Sequence, residues 1–358
     1  MLRSLGILTT TAAVALLGVA NAQTAEQQPD AAAASAGSGM RDAVSAYAAY
    51  QNDVSELRAN TIRSDADLEV ALDRVARHNR DALTRGWVSY GAYTAAQSRG
   101  FVQGVRDAAQ YYGRDAVIWA VTADPAYSRT LRGGNEATRM LLDSASADAQ
   151  RIVNVADQYR ELAYALQRQR WANAVAPRQA DRVQRIRSLG APGAPVVALP
   201  AEVSPRLSVA VLSLTPASEP THFGGRRFWD GLRGGDEVVE VSSTPVTYQW
   251  RVNATRGMAL DRMTALAALQ ALDATETHQS AVSQLMHDQR SRDCLEMAQL
   301  QLYQCMSAAR FRYENAFCLG QHGLRDIGLC IGAVAQPDSS AAALPAAAAG
   351  AAALGGRN

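Results

Sequence analysis

The chain has no lysine. All 35 of its basic residues are arginine, set against 34 acids, for a formal charge of +1 over 358 residues. Without lysine there can be no Schiff base to a carbonyl substrate, no lysine general base and no Ser-x-x-Lys nucleophile. A charge so near zero leaves no basic footprint for nucleic acid or an anionic membrane, so no nucleic-acid partner is expected. Histidine is scarce, at five residues. The sequence contains no Gly-x-Ser-x-Gly, no His-Glu-x-x-His, no P-loop and no Gly-x-Gly-x-x-Gly. No catalytic, cofactor-binding or metal residues are therefore assigned, and no cofactor is expected.

What the chain does carry at its start is an address. Met1-Leu2-Arg3 supplies one positive charge, an apolar run extends from Leu5 to Ala20, and Ala20-Asn21-Ala22 precedes Gln23. This is the pattern of a secretory signal peptide over residues 1–22. The run holds three threonines and two glycines, whereas a permanent anchor needs roughly 20 more uniformly apolar residues. No later stretch is apolar enough to span a bilayer, so no transmembrane segment is expected in the mature chain. The expected location is the periplasm, and four cysteines in an exported chain point to disulfides.

The expected fold is mainly α, with two multi-helix units joined by a proline-rich segment. Residues 23–40 are mostly Ala, Gln, Ser and Gly, a flexible leader. An N-terminal unit over 41–189 opens with Ala43, Tyr47, Tyr50, Val54 and Leu57 on one helical face. Ser64 with Asp67 reads as a helix start, and His78 as part of a solvated helix face. Three or four short helices punctuated by Gly86, Gly91, Gly100, Gly104 and Gly113 are expected in the stretch from Trp87 to Leu131, with Tyr90, Tyr93, Tyr111, Tyr112 and Trp119 packed against neighbours. Asn135 can cap the next helix, which runs without glycine to Pro177. Its residues Leu142, Ala145, Ala149, Ile152, Ala156, Tyr159, Ala163 and Leu166 form a heptad seam. The alanines invite a close partner helix, within the chain or, through the 142–166 seam, in a homo-oligomer.

Residues 190–252 form the connecting segment; eight of the twelve prolines fall between 177 and 245. Alternation suggests strands at 208–214, 237–241 and 246–250, the last two as a small β-hairpin. Phe223-Gly-Gly-Arg-Arg-Phe-Trp229 reads as aromatics tucked onto the bundle, with a binding loop as the alternative. The C-terminal unit, 253–335, begins with a helix apolar all round at Leu260, Met263, Leu266, Leu269 and Leu272, and Asp273 with Glu276 suggests the next helix start. Residues 336–358 are an alanine-rich tail, expected to be disordered.

The C-terminal unit contains Cys294, Cys305, Cys318 and Cys330, separated by 10, 12 and 11 residues. On one α-helix, Cys294 and Cys305 return to within about 20° of each other but lie roughly 16 Å apart. They share a face and cannot bond, since a disulfide needs Cα atoms within roughly 7 Å. An antiparallel hairpin gives nested pairs, Cys305–Cys318 near the turn and Cys294–Cys330 at the open end. If the arm carrying Gly320, Gly323 and Gly328 is not helical, the crossed pairing 294–318 with 305–330 stays open. The arrangement resembles the paired-cysteine helical hairpin of the coiled-coil-helix proteins, in which two Cys-x9-Cys helices are cross-linked. The resemblance covers the hairpin alone, and it implies geometry only. A metal site is the competing reading, with His322 nearby and His278, His287 and Asp288 upstream, but no zinc-type spacing supports it.

The functional expectation is a non-catalytic binding, scaffolding or assembly protein with protein partners in the bacterial envelope. Its rival is an envelope hydrolase with a site between the two units. That rival requires His78 or His222 to converge with acids in a cleft; Asp65/Asp67 and Asp236/Glu237 are the carboxylate pairs available for such work.

Overall fold

In a computed structural model of the chain, residues 39–212, 223–234 and 250–337 are described. Residues 1–38 and 338–358, holding the expected signal peptide and nearly all of the expected leader and tail, lie outside them, as do His222, Asp236 and Glu237; Met40 of the expected leader already begins a helix, and Gln336 and Pro337 of the expected tail lie in a strand. The described chain is helical almost throughout. In order come α1 (Met40–Ala59), α2 (Asp65–Ala76), α3 (Arg80–Ala95), α4 (Arg99–Tyr112), α5 (Arg114–Ala123), α6 (Tyr127–Thr130), α7 (Gly134–Leu166), α8 (Gln179–Leu189), α9 (Ser204–Ala210) and α10 (Gly225–Leu232). After β1 (Trp250–Val252) come α11 (Met258–Ala271), α12 (Gln279–Met286), α13 (Gln289–Ala308), α14 (Arg312–Cys318), a π-helical segment (Leu319–Arg325), α15 (Asp326–Gly332) and β2 (Ala335–Pro337).

Local chemistry explains several boundaries. The Ser64 hydroxyl accepts from the Asp67 amide at 3.2 Å, while the Asp67 carboxylate accepts from the Arg63 amide at 2.8 Å. That exchange starts α2 where the sequence placed it. Other expected starts move. α7 begins at Gly134 behind Gly133, whose φ of 80° ends the preceding turn, so Asn135 lies inside the helix. Asp273 sits at φ 49°, and α12 starts only at Gln279. α7 stops at Leu166, well before Pro177. The backbone of 172–176 is drawn off to the turn after α13, with Ala176 N–H donating to Arg310 C=O and Arg312 N–H to Ala174 C=O. Of the strand expected at 208–214, residues 208–210 belong instead to the helix α9, and 213–214 lie outside the described residues. Pro205 occupies the first turn of α9, and Leu207 and Val211 are buried four apart rather than two.

The core is built around α3, which packs against α1 on one side and α11 on another. Nearly every α3 side chain is buried. Of the glycines expected to punctuate this region, Gly86, Gly91, Gly100 and Gly104 lie inside helices, whereas Gly113, at φ 93°, separates α4 from α5. A Cβ at Gly86 would stand 2.6 Å from the Ala43 carbonyl oxygen, so α1 could not approach as it does. Because α3 lies between α1 and α11, the N- and C-terminal helical segments share one core.

The two strands pair antiparallel, Trp250 opposite Pro337 and Val252 opposite Ala335. This joins the end of the connecting segment to the end of the C-terminal arm. Residues 237–241 and 246–249 of the expected β-hairpin fall outside the described residues.

The C-terminal hairpin carries both disulfides, nested. Cα atoms are 5.7 Å apart in Cys305–Cys318 and 5.8 Å apart in Cys294–Cys330. The second arm stays helical through Gly328 to Gly332. Its cysteines are 12 positions apart against 11 on the first arm, which on a plain α-helix would leave them about 120° out of phase. The π-helical turn between them takes up one extra residue, and both cysteines then face α13.

Two outcomes follow for peptide mapping under non-reducing conditions. Deleting Gln321 converts the π turn to α and leaves both disulfides in place. Deleting Leu300 from the first arm puts the cysteines out of register and gives mispaired or free thiols. Equal results for the two deletions would exclude phase-matching by the π turn. Loss of Cys305–Cys318 by double serine substitution is expected to lower unfolding stability by about 3 kcal/mol.

Candidate functional site

The polar and aromatic chemistry of the described chain gathers in three places. The first is where α1 meets the start of α3. Asp53 on α1 accepts from Arg77 through Nε at 2.8 Å and Nη2 at 2.5 Å, and its Oδ2 lies 2.7 Å from His78 Nε2. His78 is 3% exposed, so the solvated face expected from its arginine-rich neighbourhood is wrong. The surrounding arginines do not expose it because Arg77 folds back onto the same carboxylate. Burial lowers the His78 pKa, outweighing the pull of Asp53. Burial would raise Asp53, but the hydrogen bonds and charges of His78 and Arg77 hold its carboxyl below its ordinary value. An acid and a histidine do converge here, as the hydrolase reading asks, but both are sealed from solvent.

The second place is the inner face of α7. Asp148 accepts from the Tyr47 hydroxyl at 2.7 Å, from the Gly225 amide at 2.6 Å and from Trp229 Nε1 at 2.6 Å. Tyr47 also accepts from Gln51 Nε2, and Arg151 donates to the Gln51 and Ser55 side chains and to the Gln51 carbonyl. Ser55 in turn donates to Asp230. Burial raises the Asp148 pKa despite its three donors. These donors hold down the segment 223–234. Gly224 and Gly225, at φ of 81° and 74°, lay the backbone against Ser144 and Ala147. Trp229 then packs edge-on or tilted against Tyr47, Tyr90 and Phe228 with ring centroids 4.9–5.8 Å apart. The aromatics are thus tucked onto the bundle.

The third place is the hairpin of α4 and α5. Tyr111, Tyr112 and Trp119 are 81%, 64% and 72% exposed, against the expectation that they pack on neighbouring elements. Residues 110–116 are all exposed, because the two helices run past the edge of the core. The hairpin is nevertheless fixed. Arg106 donates to the Ala271 carbonyl and Arg114 to the Leu272 carbonyl, satisfying the C-terminal end of α11. The Tyr111 and Tyr112 rings meet edge to face at 4.6 Å.

The remaining candidates are dispersed. Asp65 pairs with Arg182 and Arg312, while Asp67 belongs to the α2 cap. His322 Nδ1 lies 2.7 Å from Asp326 Oδ2, on the arm bearing Cys318 and Cys330. His278 and His287 contact neighbouring backbone carbonyls. No group of three or more metal-ligating side chains occurs among the described residues. A shallow groove runs along Cys294–Cys330, lined by Met297, Gln301, Asp326 and Leu329. Comparison with known protein families, curated proteins and solved structures finds no match for this chain.

The buried clusters set the pH and mutational response. His78 stays neutral in the fold, and Asp53 stays ionised below its ordinary value. On acidification the unfolded chain takes up protons that the folded chain refuses, so stability falls as pH drops below about 6.5. Asp148 acts the other way, its contribution declining as pH rises through its raised value. Thermal melts across this range should show the acid-side loss, and His78→Gln should flatten its upper part; an unchanged slope would remove His78 as its source. Asp148→Ala strands three buried donors and is expected to cost about 3 kcal/mol in urea unfolding, with faster proteolysis near 223–234.

Proposed function

We propose that this is an exported, non-catalytic binding or assembly protein of the bacterial periplasm, and that it takes a protein partner on the α4–α5 hairpin. The observation that carries the reading is the exposed trio Tyr111, Tyr112 and Trp119 on a hairpin braced by Arg106 and Arg114. Tyrosine and tryptophan are the residue types that dominate binding energy at interfaces. Held on a braced element, they lose little freedom on association. Export is supported by the signal-peptide pattern of residues 1–22 and by two disulfides, which persist in oxidising compartments. No described helix is long and apolar enough to cross a membrane. The 142–166 seam supports an intramolecular role, since α14, the π segment and α15 pack along α7.

The test is affinity isolation from an envelope fraction, comparing the parent with a Tyr111→Ser, Tyr112→Ser, Trp119→Ser variant. These side chains face solvent, so the variant should melt within a few degrees of the parent. The expected result is loss of the co-purifying protein and its recovery on reversion. A partner retained undiminished by the variant would move the binding surface elsewhere on the chain.

A further inference from the structure

Arg80 differs from every other buried arginine whose partners are described above. It is the first residue of α3 and is 2% exposed, yet none of its three guanidinium nitrogens meets an acceptor among the described residues. Arg151 has Gln51 and Ser55, and Arg182 has Asp65 and Glu69. The buried acid of this region, Asp53, is already engaged by Arg77 and His78. A second polar group close by is also unmatched: the Tyr50 hydroxyl, from α1, is buried with no hydrogen-bond partner among the described residues. α3 packs against both α1 and α13, and the Tyr50 ring meets the ring of His78, two residues before Arg80, edge to face at 5.3 Å. Outside that layer the Arg187 guanidinium lies 5.3 Å from the Tyr303 ring centroid and adds a further positive charge.

A guanidinium offers five N–H donors and no acceptor. Buried and unpaired, such a charge is among the costliest features a fold can contain. Here it also stands at the positive end of a 16-residue helix, where a cation is disfavoured. A water molecule could accept one or two of these hydrogen bonds and would leave the charge uncompensated. An acceptor carrying negative charge satisfies both needs. We propose that Arg80, with the Tyr50 hydroxyl as second donor, holds a small inorganic anion of the halide class inside the fold, between α1, α3 and α13. A halide accepts from every direction and carries no proton that would itself require an acceptor.

The experiment compares melting temperatures of the purified full chain after exhaustive dialysis into sodium gluconate, then titrated with sodium chloride or sodium bromide at constant ionic strength. A saturable rise in melting temperature with both halides is expected. Tyr50→Phe preserves the packing and should raise the half-saturating concentration at least about tenfold, the weight of one hydrogen bond to a charged group. Arg80→Met should abolish the halide response; should it fail to fold, Tyr50→Phe carries the test. Bromide anomalous scattering from a crystal should place the ion within hydrogen-bond reach of Arg80. The proposal is overturned if the parent melts identically in gluconate and chloride, or if Tyr50→Phe responds to halide as the parent does. It is equally overturned if sulfate alone stabilises, or if the crystal shows only water beside Arg80.

Discussion

The contact between α7 and the disulfide-bonded arm governs how the rest of the molecule can assemble. Two helices approach closely only where the facing side chains are small, and here one side is alanine and the other glycine. A Cβ at Gly320 would lie 2.9 Å from the Ala156 carbonyl oxygen, and one at Gly328 would lie 3.1 Å from that of Ala149. Larger residues on either side would hold the arm away from α7. The disulfides would then carry α13 away too, since they bind it to the same arm. The π turn belongs to this constraint. It lets one arm present glycines to α7 and cysteines to α13, faces that a uniform α-helix with this spacing could not keep in phase.

The other side of α7 works by polarity. Asp148 and Arg151 reach toward α1 and the 223–234 segment through directional hydrogen bonds, while the glycine-lined side relies on shape. The two modes specify different things. Close packing sets how near the arm may come, and the buried network sets which turn of α1 lies opposite which turn of α7. Satisfied buried polar groups of this kind act mainly as register marks, because any slip leaves donors unmatched.

Much of this was legible in the residues, and the failures have a common physical origin. The face of α1, the start of α2, the apolar α11 and the nested cysteines all follow from local periodicity or reach. The seam on α7 was visible as well, and its alanines implied a close partner. What periodicity could not show was where a helix leaves the body. Tyr112 continues the inward spacing of Phe101 and Val105, yet it points to water because α4 outruns the core. His78 was misread for the converse reason, since one acid 25 residues away gathers both it and Arg77. Glycine misled in the same manner: Gly86 reads as a break in sequence and proves to be a contact between helices. Each error concerns a tertiary neighbour, which no local window contains.

The placement of α3 bears on how the chain is made. Its two faces are covered by α1, which precedes it, and by α11, which follows some 160 residues later, and the strand at 250–252 closes only on 335–337. Contacts so distant in sequence form late, after a large loop-closure entropy has been met. Until the residues of α11 and β2 have been synthesised, the interior around α3 lacks one of its covering faces.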